Sequence, residues 1–252
     1  ANLAGFLIWT ACIGGLMTMC VWMYPSFAGS MDEVTDLFAG MGGFSSAFGM
    51  DKLAFGSIMG FYGMECGNIM CLGGAFFAAV TGMGLLAGEE GGHTAEFLLT
   101  HPVSRTRIAL EKLAALAVMI LALNAVCAAC GLGSILGIGE EPVWRDLLKY
   151  HGMQLLMQLE IGGICFGLSS LLRRSSYGLA IGAAMGLYFL GIFINMDTSL
   201  EPLRFVTPYY YADAARVFAG EPLADAVAAG CSLGALGAAF GLWRYGRKDI
   251  AA

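Results

Sequence analysis

Glu160 interrupts the apolar run "LLMQLEIGGICFG", and a carboxyl in such a setting does one of two things. It carries a proton or a polar substrate, or it completes a hydrogen bond between packed helices. An acid at the centre of a membrane helix costs about 2.5–3.5 kcal/mol on insertion scales, so depth decides how much explanation it needs. Glu65 lies about one turn beyond the roughly 20 residues that reach outward from Ala87, which puts it near an interface. Glu160 stands thirteen residues from Arg173, roughly 20 Å in. It shares a helical face with Gly163 and Gly167, which turns it toward a closely packed neighbour. Gln158 and Asn124 are polar in the same apolar surroundings and complete, with Glu160, a candidate intramembrane polar or substrate pathway. Both readings of Glu160 stay open at this point.

Other chemistries lack their residues. His93, His101 and His151 do not have HExxH spacing, and there is no GxSxG nucleophile turn and no GxxxxGK[ST] phosphate loop. No catalytic and no metal-ligating residue is assigned, and nothing here binds ATP by a Walker motif. The eight cysteines all fall in apolar runs, and "CAAC" at 127–130 has no second pair or nearby histidine, so they read as small packing residues.

The elements that position these groups follow from composition. The chain of 252 residues is 58% apolar and 13% charged, against about 45–50% and about 25% in soluble domains. Six windows are long enough to cross a bilayer: about 3–24, 58–87, 113–138, 152–172, 176–196 and 225–243. No small-residue cleavage site follows the first, so all six are expected to be mature spans. The expected fold is an all-α membrane protein, a six-transmembrane-helix bundle forming a single transmembrane domain over 1–252. Placing both termini in the cytoplasm puts Arg105, Arg107, Lys112, Arg173, Arg174, Arg244, Arg247 and Lys248 there, against five bases spread over the outer loops. The positive-inside rule favours that orientation. The net charge of −6 comes without a basic stripe, so nucleic acid is not an expected partner. Glycine is abundant at small-xxx-small spacing, as in Gly178/Gly182/Gly186, Gly163/Gly167 and Gly230/Gly234, the residues by which helices approach closely in lipid. No internal repeat is visible. The loop "GEEPVWRDLLKYHG" after the third span reads as a short amphipathic piece.

One dense polar stretch breaks the pattern: "EEGGHTAEFLLTHPVSRTRIALEKL" at 89–113. Glycines end the incoming helix, Thr94 is positioned to cap a short run bearing Phe97, Leu98 and Leu99, and Pro102 stops it. Ser104 can then cap the next helix, which opens with Arg105 and Arg107. The result is a helix of about two turns, 93–101, at the interface between spans 2 and 3. It is either an amphipathic anchor or a plug for a partner's groove.

That stretch resembles the signature of type-2 ABC exporter permeases: an acid pair, a Thr-x-Glu-x-Leu-Leu core, Pro-Val-Ser-Arg and a Lys. "LRFVTPYYYAD" at 203–213, "YGRKDI" at 245–250 and "LIWTACIGGLMTMCVWMYPSF" at 7–27 resemble further segments of that family, so the likeness spans essentially the whole chain. The resemblance implies that 93–101 is a cytoplasmic coupling helix docking on a separate soluble ATP-binding-cassette subunit. Glu89, Glu90, Thr94, Glu96, Arg105 and Lys112 match the signature, and His93, Phe97, Leu98, Leu99 and Pro102 complete the candidate ATPase-coupling surface. It implies a second permease copy or paralogue, a multi-pass site in the plasma or bacterial inner membrane, and no catalysis on this chain, with ATP and Mg on the partner. Transport would be alternating access moving a lipid, peptide or amphipathic drug-like substrate outward. Tyr209, Tyr210 and Tyr211 would stand near an extracellular gate. The rival reading is a proton-coupled secondary transporter that uses Glu160 and runs without ATP.

Overall fold

A computed structural model describes residues 3–30, 42–47, 49, 53, 56–91 and 104–248. All regular structure among them is helical: α1 (Leu3–Phe27), α2 (Gly43–Ala47), α3 (Ile58–Gly91), α4 (Arg105–Gly137), α5 (Trp144–Ser169), α6 (Tyr177–Met196), α7 (Tyr209–Ala212), α8 (Ala214–Phe218) and α9 (Ala224–Arg247), with short 3-10 turns at Ala28–Ser30 and Thr198–Phe205. Five of these, α1, α3, α4, α6 and α9, are long and apolar enough to cross a membrane. They turn apolar side chains outward, among them Leu7, Ile8, Val118, Leu121, Phe189 and Leu236, which lipid tolerates and water does not. Trp22 and Trp144 at one end of the bundle and Tyr177 and Trp243 at the other are exposed aromatics at the levels where membrane interfaces hold them.

The expected fourth span, 152–172, coincides with α5, which is the least apolar of the long helices. Arg145, Asp146, Lys149, His151, Gln154, Gln158 and Glu160 all belong to it. It occupies the middle of the bundle, with α3 and α9 against its two broad faces, so its polar groups meet protein rather than lipid. The residues around 144–151, expected as a separate amphipathic piece, are its first two turns. Pro142 halts the preceding chain, and nothing after Trp144 breaks the helix.

The α5–α9 crossing explains the glycine spacing. An ideal Cβ on Gly163 would lie 2.5 Å from the Gly234 carbonyl oxygen, and one on Gly167 would lie 2.5 Å from that of Gly237. Only hydrogen fits there, so the two backbones touch directly. Gly178, Gly182 and Gly186 on α6 behave differently, with nothing within 4 Å of their Cβ positions.

At one end of the bundle, here the basic end, α4 begins at Arg105, eight residues ahead of the span expected at 113. Ser104 caps it, its hydroxyl accepting from the Arg107 N–H at 3.3 Å. With 34 and 33 residues, α3 and α4 are each about 50 Å long and outrun a hydrocarbon layer of about 30 Å. The other end, here the loop end, carries α2, the 3-10 turn after α6, α7 and α8.

Candidate functional site

The site is built on α5, whose polar residues leave it in two directions because residues two apart on a helix do not face each other. His151, Gln154 and Gln158, at i, i+3 and i+7, look toward α3, α4 and α7, while Glu160 looks toward α9. All four are buried. Asn124 of α4 donates to the Gln158 Oε1 at 2.7 Å and also to the Ile120 carbonyl at 2.9 Å, its own helix's preceding turn. Gln158 fits only because α3 has glycine opposite: a Cβ on Gly74 would lie 2.1 Å from the Gln158 Nε2. The expected pair Asn124 and Gln158 is therefore joined.

Glu160 is joined to a different expected set. Tyr211 donates its hydroxyl to the Glu160 Oε2 at 2.8 Å, and Gln154 donates to the backbone carbonyl of Ala212 at 2.9 Å. The tyrosine segment of α7 thus folds back into the bundle and rests on α5. Burial first, then the neighbouring Glu160 carboxylate, push the Tyr211 phenol above its ordinary value, which keeps it a donor. Gly230 makes room again, since a Cβ there would fall 2.1 Å from Glu160 Oε2 and 2.8 Å from the Tyr211 ring. The three tyrosines do not act alike. Tyr209 sets its ring edge against Tyr188, centroids 5.3 Å apart, and its buried hydroxyl has no hydrogen-bond partner among the described residues. Tyr210 lies under the Arg216 guanidinium, 3.9 Å from ring centroid to carbon.

This polar seam is half satisfied. Glu160 Oε1, Gln158 Nε2, Gln154 Oε1 and Asn124 Oδ1 find no hydrogen-bond partner among the described residues. Each such atom costs about 1–3 kcal/mol when buried without a partner.

Sequence reasoning missed two groups. Tyr62 of α3 and the His151 Nε2 are 2.8 Å apart, and Gly131 gives way to the Tyr62 hydroxyl. The spacing of His151 with Gln154 and Gln158 is a signal for the histidine, but no sequence feature marks Tyr62. The second group is an ionic cluster at the loop end. Arg216 of α8 donates to Glu221 at 2.7 Å and to the Asn195 Oδ1 at 2.8 Å, with its Nε 4.0 Å from Asp213. Asn195 of α6 in turn donates to Asp213 at 3.1 Å and to the Ala47 carbonyl at 3.4 Å.

At the basic end, the helices that flank the signature are tied together. The Lys112 ammonium donates to the Leu85 carbonyl. The Ser169 hydroxyl donates to the Met83 carbonyl at 2.7 Å and accepts from the Ala87 N–H at 3.0 Å. Arg105 donates to the Lys248 carbonyl at 2.6 Å, and the Lys248 ammonium to that of Leu172 at 2.6 Å. Glu89 and Glu90 fall in the last turn of α3. His93, Thr94, Glu96, Phe97, Leu98, Leu99 and Pro102, and with them the expected coupling helix 93–101, lie outside the described residues. Among the described residues no group of three or more His, Cys, Asp or Glu converges to hold a metal ion.

A family model described as "ABC-2 family transporter protein" matches residues 13–250. No curated protein and no solved structure matches the chain.

Proposed function

The chain belongs to the ABC-2 transporter family, and from that premise we propose that it is the permease of an ATP-driven exporter, powered by a separate ATP-binding subunit. The observation that carries this reading is the family match, which begins inside α1 and runs through the end of α9. Counting α5 as a sixth span gives an even number and puts both termini on one side. The eight bases at that end favour the cytoplasm for it.

The coupling surface is assigned to Glu89, Glu90, His93, Thr94, Glu96, Phe97, Leu98, Leu99, Pro102 and Arg105. The frame around them supports this: α3 and α4 reach past the hydrocarbon layer toward 92–103, and Lys112 and Ser169 tie their ends into the bundle. In this reading a push on that segment would act along the axes of α3 and α4. At the loop end, Tyr211 on Glu160 supports a role for 209–211 in closing the outer side. Nucleotide closure of the partner subunits would draw the basic ends together and release the loop end, moving an amphipathic substrate outward between two permease chains. The hydrolytic chemistry, with ATP and Mg, belongs to the partner.

The test is purification of the full chain from its own host's membranes. We expect a soluble ATPase in the complex, with Mg-ATP hydrolysis that transport substrate stimulates and that deletion of 93–101 uncouples. Failure to retain any ATPase overturns the proposal. The buried, half-partnered Glu160 favours one rival, a proton-coupled carrier. That rival requires transport without ATP and its loss in Glu160→Gln.

A further inference from the structure

Two cavities open at the loop end, and the inner one has sulfur in its wall. The outer cavity holds about 320 Å³, and Glu201, Asp213 and Glu221 stand against Arg216 in its lining, so it favours cations over anions. The inner cavity, about 60 Å³, lies against α3, α6 and α7. Asn195 and Asp213 line both, which makes the outer space the approach to the inner. Met64, Gly67 and Cys71, at i, i+3 and i+7, present one face of α3 to the inner cavity. The Cys71 Sγ lies 3.9 Å from the Sδ of Met157, which is fully buried on α5. Gln154, one turn before Met157, has its amide beside the same thiol. The Gln154 Nε2 is engaged by the Ala212 carbonyl, and its buried Oε1 has no partner among the described residues. Thiol sulfur, thioether sulfur and amide oxygen are all lone-pair donors, and the thiol proton can serve only one of the other two.

We propose that Cys71 and Met157 form a binding site for a soft monovalent cation, Cu(I) or Ag(I), reached through the loop-end cavities. Metal–thiolate bonds are about 2.3 Å long, so two sulfurs on one ion stand up to about 4.6 Å apart. At 3.9 Å the pair can share an ion in a bent arrangement, and Gln154 supplies the third, weaker contact. The ion takes the place of the thiol proton. The Cys71 S–H bond breaks, the metal–sulfur bond forms on the electron pair left behind, the proton leaves to water, and no oxidation state changes. Thiolate and thioether select Cu(I) over the hard cations, which demand six or more oxygen ligands, and two sulfurs suffice where zinc would need four ligands. The site belongs to this chain alone, so it stands or falls apart from the ATPase proposal.

The full chain in lipid nanodiscs is titrated anaerobically with Cu(I) against bicinchoninate, a coloured Cu(I) chelator, so that only tight sites compete. The unaltered chain is expected to hold one tight equivalent that Cys71→Ser lacks. Met157→Leu keeps an apolar side chain of similar volume but has no thioether, and it should weaken that equivalent about tenfold or more. Cys165→Ser is the control, because Cys165 is buried on α5 and does not line the cavity, and it should keep the equivalent. The proposal is overturned if the unaltered chain holds no tight Cu(I), if Cys71→Ser holds as much as the unaltered chain, if Met157→Leu binds with unchanged affinity, or if Cys165→Ser loses the equivalent as Cys71→Ser does.

Discussion

Gly163→Ala tests the α5–α9 seam on which the position of Glu160 depends. The added methyl would meet the Gly234 carbonyl oxygen at 2.5 Å, where ordinary contact begins at 3.4 Å, so the two backbones must part by the difference, 0.9 Å. A gap of that size forfeits about a quarter to a half of the dispersion between the atoms it separates. Overpacking of this kind costs about 1–3 kcal/mol, and alanine in a helix returns about 0.5–1 kcal/mol relative to glycine. The net loss is about 1–2 kcal/mol, or several degrees at roughly 2–4 °C per kcal/mol for a chain of this size. Gly167→Ala meets Gly237 at the same distance, and the double variant should lose less than the sum, because one separation of the helices relieves both clashes. Gly182→Ala on α6 is the reference, since nothing lies within 4 Å of its Cβ. The assay is thermal unfolding of the detergent-purified chain, read by tryptophan fluorescence. If Gly163→Ala melts at or above Gly182→Ala, the direct backbone contact is wrong.

Three further outcomes follow from the same contacts. Tyr211→Phe strands the Glu160 carboxyl without its one donor among the described residues and should lower stability by about 1–3 kcal/mol in the same melt, while Glu160→Gln, whose amide oxygen still accepts from the phenol, should lose less. Lys248→Met removes the tie from α9 to the end of α5, and hydrogen exchange at Ser170 to Leu172 should quicken while the middle of α5 stays protected. Glu111→Gln breaks an ion pair whose side chains are 71% and 63% exposed, and should change stability by less than about 0.5 kcal/mol at any salt concentration.

How legible this was varied with the physics. Five of the six expected spans were readable because lipid demands about 20 apolar residues whatever the neighbours are. Ser104 was readable as a cap because capping is local. Glu160 turned toward a glycine-lined neighbour as its spacing from Gly163 and Gly167 required. What escaped was non-local. Nothing in the sequence says that Tyr211, 51 residues away, folds back onto Glu160, or that the three adjacent tyrosines have three different partners. The count of spans was obscured for a related reason. By length and composition α5 is not among the helices able to cross a membrane, and its polar groups meet α3 and α9 instead, which is a property of the bundle. Arg216 reads in the sequence only as one outer-loop charge: Asp213 and Glu221 are its near neighbours in the chain, but Asn195 joins the cluster from α6, 21 residues away.

The most direct test of the central claim is a photo-crosslinking amino acid at Leu98, compared with the same residue at the exposed, apolar Val118 of α4. In membranes of the native host, position 98 should capture a soluble ATP-binding protein with a GxxxxGK loop and position 118 should not. A chain that captures no such protein at 98, or captures it equally at 118, contradicts the claim that this permease is driven through 93–101.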